Sequence, residues 1–205
     1  LPESAKSAIF FEMNFDPHAE FEPYHVLDEI MISVGADLSN SWAGYERREL
    51  DRFKVFRHMV PETINGIIAE RKKVHPGIHK LGTDLAVPDS YLEEIWQLYE
   101  SECNRLALDW YAFGHIGNNH IHVNILPRDM GDLEKGMKLY EVFARRAVEM
   151  GGAVSAEHGI GKIKAKFLPL MFTPDQIQQM RNVKKALDPQ GILNPDNIFP
   201  LEVHQ

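Results

Sequence analysis

The chain has 205 residues, 44% of them hydrophobic and 25% charged, which suits one large domain, or one domain with a short appendage, around a real core. Its formal net charge of -8 argues against general nucleic-acid binding, which needs a cationic surface to release counterions, but leaves room for a local basic pocket for a carboxylate. The single cysteine, Cys103, excludes an internal disulfide, and no apolar run approaches the length that crosses a bilayer.

One thiol suits a reducing compartment, and the first residues, Leu-Pro-Glu-Ser-Ala-Lys, lack the basic and apolar regions of a secretory signal. A cytoplasmic protein is expected, with peripheral membrane contact left open. The first residue is Leu rather than Met, so a longer chain with a further domain is also expected.

In chain order, residues 7–15 are rich in Ile, Phe and Met and predict a buried strand. Residues 20–34 carry apolar side chains at helical spacing and end at Gly35, a suitable C-cap. After a loop at 39–44, a charged helix over 46–59 is expected to stop near Pro61, with a second helix over 62–73. Residues 79–87 predict a strand closed by Pro88. Ser90 and Glu93 have capping-box spacing and open a helix to about Arg105, in which Cys103 is a buried, inert thiol. Strands follow at 108–113 and 121–126, then a helix over 133–150 ended by Gly151 and Gly152, and a short strand at 153–155. Thr173, Pro174 and Gln176 mark the start of a helix to Leu187. Residues 188–205 are turn-rich. Strands interleaved with amphipathic helices, without repeats or linkers, predict a single α+β domain with a mostly antiparallel sheet and helices on one face.

The densest chemical signal runs from Phe113 to Asn124. Side chains alternate across a strand, so Ile121, Val123 and Ile125 point one way and His120, His122 and Asn124 the other. A polar face of this kind suggests a wet cavity. Gly114, Gly117, Asn118 and Asn119 predict a turn that folds His115 back toward His122, and converging imidazoles suit zinc or manganese. Hydrogen-bonded histidines without a metal are the alternative. A second cluster, Ser155 to Lys162, sets Glu157 beside His158 in a flexible turn. Glu157 completes a three-ligand site with an open position, and His158 serves as a nearby base; solvated polar residues in a glycine turn are the alternative.

Other motifs fail. Gly161-Lys162 lacks the first glycine and the Ser/Thr of a phosphate loop, and Gly159-x-Gly161 lacks the rest of a dinucleotide fingerprint. There is no His-Glu-x-x-His, and no paired cysteines follow His18-Ala19-Glu20.

Three strings in order, Gly114-His115-Ile116-Gly117 with His122 and Asn124, Ser155 through Gly161, and Leu187-Asp188-Pro189 through Gly191-Ile192-Leu193-Asn194-Pro195, resemble the C-terminal domain of the FAD-linked oxidases. That family includes D-lactate dehydrogenases, glycolate oxidase subunits and D-2-hydroxyglutarate dehydrogenase. Asp84-Leu85-Ala86-Val87-Pro88 fits the strand before the family's helix, and the first 75 residues are only loosely similar. The resemblance implies a ferredoxin-like cap domain over 1–205, preceded by an FAD-binding domain absent from this chain, with the tail from 188 packed toward it. It implies His115, His122 and Glu157 as ligands of zinc or manganese, and His158 as the catalytic base. Asn124 and Arg57 would contact a small 2-hydroxy-acid substrate, and Asn194 would lie where the chain approaches the flavin. The implied activity is oxidation of a D-2-hydroxy acid to the 2-oxo acid by hydride transfer to FAD. The chain alone would be colourless and silent. Two departures stand out: Asn118-Asn119-His120 replaces the family's Asp-Gly-Asn, so that His120 either replaces a ligand or crowds the pocket. Gly82 also stands where some members have lysine, with Lys80 two residues away. The electron acceptor and a homodimer stay open. A non-catalytic metal-binding subunit and a flavin-independent metal hydrolase with Glu157 as base are the competing readings.

Overall fold

The computed structural model describes residues 6–13, 23–36, 38–44 and 46–199. The chain divides into two compact units, Leu1–Glu62 and Thr63–Gln205.

In the first unit, helix α1 spans Pro23–Ser33, and Gly35 follows it at φ +74°, the left-handed conformation that closes a helix without Cβ strain. Residues 7–13 are irregular and exposed instead of forming the expected buried strand; residues 14 and 15 lie outside the described residues. Their apolar side chains do not alternate, so no single face can be buried. Helix α2 (Arg47–Val74) continues unbroken through Pro61, and the boundary between the units falls within it, after Glu62. The expected break at Pro61 does not occur. A proline removes one rung of the hydrogen-bond ladder, and 28 residues of helix supply enough flanking rungs to carry it.

The second unit is α+β. Strands β1 (Leu81–Gly82), β2 (Trp110–His115) and β3 (His120–Ile125) form an antiparallel sheet in the order β1-β3-β2. The expected strand over 79–87 shrinks to two residues plus single bridges from Ala86 to His120 and to Ala153, and the strand expected at 153–155 is that one bridge. Beyond Gly82 the chain turns its polar groups toward the site described below. On β3, Val123 and Ile125 are fully buried in the core, as the alternation predicts.

Helices α3 (Leu92–Arg105) and α4 (Met130–Glu149) cover this apolar face. Buried Ile95, Tyr99 and Cys103 recur every four residues on α3; Leu133, Gly136, Tyr140, Phe143 and Ala147 keep the same three-to-four rhythm on α4. The Tyr99 and Phe143 rings meet edge to face at 4.7 Å. Burial, then the neighbouring Glu102 charge, pushes the Cys103 thiol up to about 12, which makes it inert at neutral pH. α3 starts after a 3₁₀ turn (Asp89–Tyr91), and the expected Ser90 capping box does not form: Tyr91 is the N-cap, and Glu93 instead accepts from Gln97 at 3.1 Å. α4 begins three residues earlier than expected because Asp129 caps it, accepting from the Asp132 N–H at 2.8 Å.

A one-turn helix α5 (Leu168–Met171) leads to α6 (Pro174–Leu187), which opens on the expected capping box, with Thr173 and Gln176 bonded reciprocally. The turn after α6 is organised by buried Asp188, which accepts from Lys184 at 2.5 Å and from the backbone N–H groups of Ile192 and Leu193 at 3.1 and 2.9 Å. Among the described residues, no helix is long and apolar enough to cross a membrane.

Phe143→Ala is expected to destabilise the protein by about 3–5 kcal/mol, through lost burial plus the cavity left behind; an unchanged denaturant midpoint would contradict the core assignment. The Lys184 ammonium, then the two backbone donors, hold Asp188 below the usual carboxylate range against the effect of burial. Its contribution is therefore fully present above the unfolded pKa of about 3.9 and fades as pH falls through the lower folded value. The stability gap between wild type and Asp188→Asn should close between roughly pH 5 and the acid limit; a gap that stays constant with pH rules this out.

Candidate active site

The β2–β3 hairpin pairs Phe113 with His122 and His115 with His120, so these four side chains share the face opposite the apolar core. The two strands approach so closely at Gly114 that a Cβ there would sit 2.2 Å from the His120 carbonyl oxygen. The connecting turn closes at Asn119, held at φ +48°. It brings His115 and His120 side by side, with ring centroids 6.3 Å apart.

His120, His122 and Asn124 are buried. Asn124 donates to the His122 carbonyl at 3.2 Å. His122 is held by the chain leaving β1: its Nδ1 lies 2.8 Å from the Thr83 carbonyl, which can only accept, so Nδ1 carries the proton. The Nε2 lone pair then faces Glu157 Oε1 at 3.0 Å. A second proton on His122, or a cation bound by both atoms, satisfies that contact. Two donors each about 2.0–2.1 Å from one zinc ion stand about 3 Å apart.

Glu157 reaches this face from the loop after Ala153. That loop is pinned from beneath by Asp84, which is fully buried. Asp84 accepts from the Ser155 hydroxyl at 2.9 Å, from the Glu157 and His158 N–H groups at 3.2 and 3.1 Å, from His120 Nε2 at 3.0 Å and from the Lys164 ammonium. Burial alone would raise the Asp84 pKa. The Lys164 and Ser155 side chains and the two backbone donors outweigh it and leave the carboxyl far below its usual range. Asp84 is therefore an anion that only accepts, and His120 carries its proton on Nε2, leaving the Nδ1 lone pair free.

Glu157 gathers the imidazoles. Its Oε2 lies 3.8 Å from His115 Nε2 and 3.8 Å from His120 Nδ1, and His158 Nε2 is 3.3 Å from Oε1. The contact with His122, opposed by burial and joined by the neighbouring His120, His122 and His115 rings, holds the Glu157 carboxyl below its ordinary pKa. Burial, then the neighbouring His122, lowers the pKa of His120. The His158 ring is half-exposed and stacks on His122 at 4.8 Å with planes 6° apart. Among the described residues, two groups offer ligand atoms that lie within 4.8 Å of one another inside the group: His120, His122 and Glu157, and Asp84, His122 and His158. The first is two imidazoles and a carboxylate, a donor set that suits zinc or manganese.

Of the residues singled out in the sequence, His115, His122, Glu157 and His158 converge here, with His115 at the exposed rim. Asn124 lies beside them, buried beneath His122. Arg57 lies in the first unit, exposed on α2, with its guanidinium 6.0 Å from the Phe10 ring centroid. Asn194 is exposed in the turn after α6, at φ +49°. Asp84 and Lys164 were missed as functional residues; the available signal was an acid set directly before the apolar run Leu85-Ala86-Val87. Lys80 passes close to Gly82: its Cε would be 3.9 Å from a Cβ built there, and burial lowers its pKa.

A three-stranded sheet under two helices, carrying a His/Glu cluster pinned by a buried acid, is the architecture found here. The chain belongs to the family described as FAD linked oxidases, C-terminal domain, whose model matches residues 2–198. It is 29% identical over 178 residues to the D-2-hydroxyglutarate dehydrogenase of Stutzerimonas stutzeri, covering 85% of this chain and 34% of that protein. It is 29% identical over 181 residues to the D-lactate dehydrogenase of Archaeoglobus fulgidus, covering 87% of this chain and 38% of that protein. With the glycolate oxidase subunit GlcD of Bacillus subtilis it shares 28% identity over 118 residues, 57% of this chain and 25% of the relative. The chain thus spans about a third of the length of the curated relatives it matches.

Lys164→Met leaves the Asp84 charge buried without its cation, and is expected to destabilise the protein by about 3–5 kcal/mol. Chemical denaturation measures this, and a loss below about 1 kcal/mol, the level of a surface pair, would remove Lys164 from the network.

Proposed function

We propose that this chain is the substrate-side domain of a flavin-dependent enzyme that oxidises a D-2-hydroxy acid, of the lactate, glycolate or 2-hydroxyglutarate class, to the 2-oxo acid. An FAD-binding domain works with it, and Glu157 and the imidazoles around it would hold a divalent cation, zinc or manganese. The convergence of Glu157, His122 and His158 on one face carries this reading, and family membership and the names of the relatives support it. Bound there, the cation supplies the Lewis acidity that makes a hydroxyl proton easier to lose, and the flavin supplies the hydride acceptor.

The remaining work falls to the chain's own side chains. His158 accepts the C2 hydroxyl proton at its imidazole, while the C2 hydrogen leaves as hydride and C2 becomes a carbonyl carbon. Its exposure gives access to substrate, and its backbone N–H on Asp84 and its stacking on His122 fix where the ring stands. Thr83 fixes the His122 tautomer, so that Nε2 is the donor atom facing Glu157. The resemblance supplies His115 as the third ligand, and both His115 and His120 come within 3.8 Å of Glu157 Oε2. Arg57 binds the substrate carboxylate, Asn124 steadies the strand behind His122 and orients substrate, and Asn194 lies on the side that approaches the flavin; these roles rest on the family pattern.

His158→Ala in the full-length protein should lower kcat for dye reduction by a D-2-hydroxy acid about 10²–10⁴-fold while the fold is retained. Turnover within a few-fold of wild type would remove His158 as the base.

A further inference from the structure

We propose that His120, rather than His115, completes the cation site with His122 and Glu157, so that the buried rather than the exposed member of the His115–His120 pair is the ligand. This rests on the cation reading just given. Four observations carry it. First, His120, His122 and Glu157 each offer one ligand atom in a set lying within 4.8 Å of one another, a set that does not include His115, and His120 Nδ1 and His122 Nε2 lie 3.8 and 3.0 Å from Glu157 oxygens. Second, His120 is prepared as a ligand. Its Nε2 is tied at 3.0 Å to an anionic, fully buried Asp84, which fixes the tautomer and leaves Nδ1 as the lone-pair atom on the Glu157 side. A carboxylate on the far nitrogen is the usual companion of a metal-bound imidazole, because it orients the ring and raises its basicity. Third, His122 is prepared in the same way by the Thr83 carbonyl, and the two rings meet at 4.3 Å, so neither must move far to share an ion. Fourth, the His120 side chain is 5% exposed and the His115 side chain 47% exposed, and among the described residues no hydrogen bond to a ring nitrogen of His115 fixes its tautomer.

His115 is then left at the rim, 3.8 Å from Glu157 Oε2, where it meets whatever occupies the open side of the site. Two imidazoles and one carboxylate with an open position form a donor set of the catalytic kind, so replacing the outer ligand by the inner one keeps room for a chelating substrate.

The test measures zinc affinity of the full-length protein by competition with a chromophoric chelator, for wild type, His120→Asn and His115→Asn, with circular dichroism and melting temperature of each metal-free variant as the fold control. The expected result is at least a tenfold loss for His120→Asn and a smaller loss for His115→Asn, since even a supporting partner of a ligand typically costs about 10–100-fold. A loss at His115→Asn equal to or larger than that at His120→Asn overturns the inference and leaves the cation reading standing. Failure of the wild-type protein to bind zinc or manganese overturns both. If His120→Asn does not fold, a zinc-edge anomalous map of wild-type crystals decides: a peak about 2.0–2.1 Å from His120 Nδ1 supports the inference, and a peak ligated by His115 overturns it.

Discussion

The second unit is organised around one buried negative charge. Asp84 is withdrawn from water in a place where an unpaired carboxylate would be prohibitively costly, so it persists only because donors from three separate stretches of chain meet it. His120 comes from the β2–β3 hairpin, Ser155 and the Glu157 and His158 N–H groups from the loop after the Ala153 bridge, and Lys164 from the turn that follows. Satisfying that carboxylate forces these segments together, and the side chains they carry are the ones able to do chemistry. Because Asp84 accepts backbone N–H groups from the residues that bear the Glu157 and His158 side chains, the fold fixes where the loop runs while leaving both side chains free to face outward.

The apolar layer beneath supplies rigidity. Val123 and Ile125 lock β3 against α3 and α4, and because side chains alternate, the same register obliges His120, His122 and Asn124 onto the opposite face. A one-residue slip would send the imidazoles into the core. The loop above is open to solvent: Gly159 and Gly161 turn it at positive φ and His158 is half-exposed, which suits a segment that must admit a ligand.

Much of this was legible from residue patterns. The β2–β3 hairpin, α3, α4 and α6, the Thr173 capping box and the meeting of Glu157 with His122 follow from periodicity, capping chemistry and motif order. What escaped has identifiable causes. Pro61 is a strong local stop signal, yet it sits inside a helix long enough to absorb one lost hydrogen bond. Residues 7–13 are apolar enough to suggest a strand but lack the alternation that would give them a face to bury. Ser90 and Glu93 have capping-box spacing, but the chain spends that stretch on a 3₁₀ turn. Asp84 and Lys164 are 80 residues apart, and no local pattern links an acid at the end of a strand to a lysine after a glycine turn. His120 was visible as a departure from the family pattern; its attachment to Asp84 required the fold.

The central claim is that the His/Glu cluster gathers a cation that assists removal of hydrogen from a 2-hydroxy acid. It is tested most directly by mixing the full-length flavoprotein anaerobically with D-lactate, glycolate or D-2-hydroxyglutarate and following the flavin absorbance, before and after stripping divalent metal. The account predicts rapid bleaching by at least one of these acids in the metal-replete protein, a large slowing once metal is removed, and recovery on adding zinc or manganese. Bleaching at an unchanged rate in protein verified to be metal-free would contradict it.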